Sequence, residues 1–198
     1  MRLPTAGVVD RDGFLAVGAL VGALGWSTTV AVSLFPWLAS RPTVAVLVVW
    51  AVLVALMAAV GAFATPDAVR FSRPLVAFGV ANGLAALATT LAFLDYLPDA
   101  TYAVAWGLAG AVGYGVAART VPGPDARVYG VAAVLDLLAV GAVAVLPGWL
   151  ALALVGVCHV APLAAVASRT TWGSTLVVAA YGSVFLVGLT YAFTFAPV

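Results

Sequence analysis

Two charged residue types are missing from this chain of 198 residues, which contains no lysine and no glutamate. Its 8 basic residues are all arginine and its 7 acidic residues all aspartate. Without lysine there is no Schiff base to retinal or pyridoxal phosphate, and no P-loop. Without glutamate there is no HExxH zinc protease and no Glu-x-x-His di-iron bundle. The single cysteine, Cys158, and the single histidine, His159, exclude a disulfide framework, a structural zinc site and a bis-histidine haem within one chain. No cofactor and no metal are expected. The net charge of +1 offers no basic field to a nucleic acid.

Charge of either sign is scarce. Charged residues make up 8% of the chain and hydrophobic ones 65%, whereas a soluble domain carries about 25% and about 45–50%. Such a composition cannot clothe a water-facing surface, and disorder requires the opposite bias. Glycine has no three-residue period and heptads are absent, which excludes collagen and coiled coil. An integral membrane protein remains. Exclusive arginine with abundant Ala, Val and Gly fits a GC-rich prokaryotic coding sequence.

A span needs about 20 mostly apolar residues to cross roughly 30 Å of hydrocarbon. Seven stretches qualify: 14–34, 44–63, 75–94, 102–118, 128–146, 149–167 and 175–195. Pro42, Pro66, Pro74, Pro98, Pro122 and Pro124 fall between them, where a missing backbone donor does no harm. Pro147-Gly148 joins the fifth and sixth by a tight turn, which makes those two antiparallel neighbours. The second span has little polar content and is expected to be the most lipid-exposed.

Arginine sets the orientation. Arg2, Arg11, Arg70, Arg73, Arg119, Arg127 and Arg169 lie on one side of the membrane, and only Arg41 lies on the other. The positive-inside rule then places the N-terminus in the cytoplasm and the C-terminus outside. The fold expected is all-α, a polytopic seven-transmembrane-helix bundle in the cell membrane, with residues 1–198 forming one membrane domain. The first span is too long for a signal-peptide core and is read as a retained helix. Trp37, Tyr96, Tyr102 and Trp149 are expected to mark the outer interface, and Phe71, Tyr129 and Trp172 the inner one.

An ionisable residue inside a span costs about 2.5–3.5 kcal/mol on insertion scales and is a functional hypothesis by default. Two occur, Asp136 and His159. Asp136 lies nine residues beyond Arg127, about 13 Å inward, and His159 ten beyond Trp149, about 15 Å inward from the opposite side. The two depths nearly coincide on hairpin neighbours. Asn82, Tyr181 and Ser183 fall near the same layer, with Trp26 to Thr29 just outward of it. Pro162, one turn after Cys158, removes that residue's carbonyl partner beside His159. Such polar residues either hydrogen-bond helices together or line a site. Small residues at Gly18/Gly22, at Gly79/Gly83 and along Gly107, Gly110, Gly113 and Gly115 favour close helix packing, and Gly79 and Gly83 flanking Asn82 suggest that the third span packs centrally.

Two functions fit these residues. One is a small-solute or proton-coupled transporter or binding protein using Asp136, His159, Asn82, Tyr181 and Ser183, with an unidentified small molecule as ligand. The other is a non-catalytic membrane subunit or scaffold that packs against a partner protein or its own copy within the bilayer. An intramembrane hydrolase built on Ser183, His159 and Asp136 lacks a nucleophile elbow around Tyr181-Gly182-Ser183, so an enzyme is not expected. Thr65-Pro66-Asp67-Ala68 resembles a loop of the microbial rhodopsins, but the seventh span has no lysine for retinal, and no family is identified.

Overall fold

In the computed structural model, residues 9–38 and 40–169 are described; the seventh span, with Trp172, Tyr181 and Ser183, lies outside them. Of the described residues 84% are helical and none lies in a strand. Six long helices follow the first six predicted spans: α1 (Arg11–Leu34), α2 (Pro42–Ala59), α4 (Arg73–Phe93), α5 (Thr101–Thr120), α6 (Pro124–Ala142) and α7 (Gly148–Ala167). A single turn, α3 (Asp67–Arg70), precedes α4.

The helix starts follow local chemistry. Asp10 caps α1 by accepting from the Gly13 amide at 2.8 Å, and proline occupies the first turn of α2, α4 and α6, where its fixed φ is pre-set and its missing donor is not needed. Gly123 enters α6 at φ 80°, a conformation that a side chain would strain. On its C-terminal side α2 runs on through a π-helical turn, Val60–Ala64. Arg70 closes that end, with Nε donating to the Gly61 carbonyl at 2.8 Å and Nη2 to the Thr65 carbonyl at 3.0 Å. The fifth span is shorter than expected, since α6 stops at Ala142 and residues 143–147 form the connection to α7.

The order of packing is α2, α1, α7, α5, α4, with α6 seated against both α5 and α7. Consecutive long helices alternate in direction. Arg11, Asp125 and Arg169 meet at one end, where Asp125 accepts from Arg11 at 3.4 Å and from Arg169. Pro36, Pro42, Asp99, Leu146 and Gly148 border one cavity at the other end.

Four helices are long and apolar enough to cross a membrane: α1, α2 with its π turn, α4 and α7. The remaining two are less apolar because α5 is interrupted by glycine, tyrosine and tryptophan, and α6 carries Asp125, Arg127 and Asp136. Apolar side chains cover the outside of the bundle, among them Val52, Leu56, Val80, Leu84, Leu137 and Leu138. Large exposed apolar surface of this extent belongs in lipid, which marks a membrane protein. As expected, α2 is the most outward helix and buries only Val46 and Leu53.

Two expectations need correction. Among the described residues the Gly79/Gly83 face of α4 does not pack centrally, because none of them lies within 4 Å of a Cβ placed at either position. Instead α4 meets α5 through a large residue set against a small one: Phe78 lies over Gly113, 2.5 Å from where its Cβ would be. Two of the tyrosines expected at the interface also turn inward rather than outward. Trp37, Tyr96, Trp149 and Phe71 are exposed as expected, but Tyr102 and Tyr129 are buried. Tyr102 bonds Thr29, and Tyr129 stacks on Tyr114 with ring centroids 5.7 Å apart.

Candidate functional site

The depth arithmetic for Asp136 and His159 holds. Helical rise fixes how far along its axis each residue sits, and α5 supplies the surface on which the two converge. A Cβ at Gly110 would lie 2.7 Å from the Asp136 Cγ and 2.8 Å from the His159 Nδ1, with the Asp136 Oδ2 closer still. Glycine at 110 is what leaves room for a carboxylate and an imidazole on the same patch of helix. Gly107, one turn earlier, admits Val140 of α6 at 2.6 Å from its would-be Cβ, so α6 lies close enough to bring Asp136 in.

Asp136 is 0% exposed and His159 7%. Among the described residues neither Asp136 oxygen has a hydrogen-bond partner, and neither does His159 Nδ1. The two are neighbours across Gly110 without being bonded to each other. A buried polar atom without a partner costs about 1–3 kcal/mol and calls for an explanation in a native structure.

Aromatic rings enclose the imidazole. The ring centroids of Trp106 and Tyr114 lie 6.1 Å from that of His159, Phe78 lies at 6.2 Å and Trp26 at 6.4 Å. Tyr114 also donates its hydroxyl to the His159 backbone carbonyl. Pro162 sits on the same stretch of α7 and has no N–H for the Cys158 carbonyl, so the tyrosine reinforces the backbone beside the proline. Cys158 is a free, buried thiol packed in the core cluster.

Above this pair lies a polar girdle. Thr29 donates to the Gly25 carbonyl at 2.9 Å, accepts from Trp50 Nε1 at 3.0 Å and meets the Tyr102 hydroxyl at 3.2 Å. Trp106 Nε1 donates to Thr89 at 2.9 Å. Trp50 stacks on Trp106 at 5.2 Å, and this ring anchors the otherwise outlying α2. Trp26 stacks on Tyr102 at 6.0 Å, but its Nε1 is buried and unpartnered.

The chain matches no protein-family model, no curated protein and no solved structure.

The site therefore rests on its own geometry. The structure brings together two of the five residues singled out from sequence, Asp136 and His159. Asn82 is half-buried on α4, one turn beyond Phe78, with an unpartnered Oδ1; none of the described contacts joins it to the pair. Tyr181 and Ser183 lie outside the described residues. No group of His, Cys and acidic residues among the described residues suits a metal ion. Sequence reasoning named Gly110 only for close helix packing, and missed Trp106, Tyr114 and Phe78. The signal available was the Gly107, Gly110, Gly113 series at three-residue spacing, which keeps one face of α5 open to large or polar neighbours.

Proposed function

We propose that this chain is a seven-span protein of the cell membrane, N-terminus inside, that moves or binds a small solute with proton exchange at Asp136 and His159. One observation carries the reading: both groups are buried on one glycine and lack hydrogen-bond partners among the described residues. A pair kept to hold helices together would be bonded, since that is how polar residues glue helices within a bilayer. A carboxyl group and an imidazole with free lone pairs can instead accept and pass on a proton or a ligand hydrogen. The segregation of arginine supports the orientation, and the alternating helices support a multi-pass topology.

Reconstitution in liposomes with a trapped pH-sensitive dye tests the proposal. An imposed gradient should drive proton flux in the wild-type protein, and Asp136→Asn should abolish it while tryptophan fluorescence and helical content persist. Equal flux in the two proteins refutes proton exchange at Asp136.

A second reading, a non-catalytic subunit packing against a partner, is favoured by the Gly79/Gly83 face on α4, which no described residue covers. A monodisperse monomer after purification in mild detergent counts against it.

A further inference from the structure

A cavity of about 550 Å³ opens at the end of the bundle that holds the α1–α2, α4–α5 and α6–α7 connections. Its size falls within the roughly 300–1,000 Å³ of small-molecule sites. Its walls are largely aliphatic, from Val32, Val46 and Leu152 among others. Its polar groups are few and particular: the hydroxyls of Thr29, Ser33, Thr43 and Tyr102, and one carboxylate, Asp99. Among the described residues no arginine borders it. The Phe93 and Tyr102 rings stand together there with centroids 5.5 Å apart, and Trp26 and Trp50 lie directly behind Tyr102 and Thr29.

We propose that this vestibule takes a small monovalent organic cation, an amine or quaternary ammonium with apolar substituents. A single negative charge with no competing cation sets the sign of the ligand. The aliphatic walls favour an apolar body over a hydrated metal ion, and aromatic faces attract quaternary ammonium groups through their quadrupoles. The vestibule sits over the Thr29–Trp50–Tyr102 girdle, beneath which lie Trp26 and the imidazole of His159. Its occupant is thus held on the approach to the buried pair. The inference names a substrate class for the transport reading and in that respect rests on it.

The test is equilibrium binding of radiolabelled tetraethylammonium to the full chain in lipid nanodiscs, at constant ionic strength. The wild-type protein should bind it saturably, one ion per chain, and benzoate should not compete. Asp99→Asn should weaken binding about fivefold, the loss of one partly solvated charge contact, and Thr43→Arg should weaken it at least as much. Asp95→Asn serves as control. Asp95 stands in the same connection outside the cavity, and its left-handed φ of 60° accepts asparagine, so binding should be unchanged. Absence of saturable binding, competition by benzoate, or equal losses in Asp95→Asn and Asp99→Asn would each overturn the proposal.

The two readings separate cleanly. Asp136-dependent flux without tetraethylammonium binding removes the vestibule inference alone. Binding that depends on Asp99, with flux indifferent to Asp136→Asn, leaves the vestibule standing and removes the proton-exchange reading.

Discussion

Replacing Gly110 by alanine adds one methyl group at the point where Asp136 and His159 meet. That carbon would stand 2.7 Å from the Asp136 Cγ and 2.8 Å from the His159 Nδ1, several tenths of an ångström inside ordinary contact. None of these atoms is the far end of a long flexible chain, so α5, α6 or α7 must shift. Overpacking of this kind costs about 1–3 kcal/mol. Alanine also gains roughly 0.5–1 kcal/mol over glycine within a helix, and that gain obscures the cost when one variant is measured alone. Gly79→Ala removes the ambiguity, because it makes the same chemical change on α4 with no described residue within 4 Å of the new methyl. In the difference between the two variants the helix-propensity contribution cancels. Gly110→Ala should be less stable than Gly79→Ala by about 1–3 kcal/mol, read from denaturant unfolding in detergent micelles followed by tryptophan fluorescence. Proton flux should fall in Gly110→Ala and persist in Gly79→Ala. Equal stability of the two variants would show that α5 does not press against Asp136 and His159, and the proposed site would lose its geometry.

Thr29→Val keeps the shape of the girdle but removes the hydroxyl that accepts from Trp50 Nε1 and meets the Tyr102 hydroxyl; a loss of about 1 kcal/mol and a changed tryptophan emission spectrum are expected. Tyr114→Phe removes the hydroxyl that donates to the His159 carbonyl and should cost about 1 kcal/mol, measurable by the same unfolding assay. Asp125→Asn weakens the contacts to Arg11 and Arg169. Because both arginines are substantially exposed, the loss should be only about 0.2–1 kcal/mol, and it should shrink further at high salt.

Position along the helix axis was legible in the sequence; rotation about that axis was not. Rise per residue is fixed by backbone hydrogen bonding, so the apolar runs located six helices, and Asp136 and His159 could be set at one depth before any contact was known. Whether a side chain at a given depth turns inward depends on its neighbours. Tyr102 and Tyr129 sit where interfacial tyrosines belong, yet Thr29 and Tyr114 draw them into the bundle. Gly79 and Gly83 have the spacing of a packing motif, yet Phe78 on the same helix makes the contact with α5. The usual guide to rotation, an amphipathic stripe, is weak in a chain whose outer surface and core are both apolar. Gly110 illustrates the limit most clearly, because its importance lies wholly in what two other helices place against it.

The contact of Asp125 with Arg11 spans 114 positions of sequence, and the first and last described helices, α1 and α7, lie side by side. At synthesis rates of 5–20 residues per second, roughly 6–23 s separate the emergence of the two halves of that contact. During that interval Gly22, which later receives Val160, and Trp26, which later covers Gly156, have no partner on α7. The face of α1 that α7 covers is therefore completed late, and until α7 has been made it must wait in lipid.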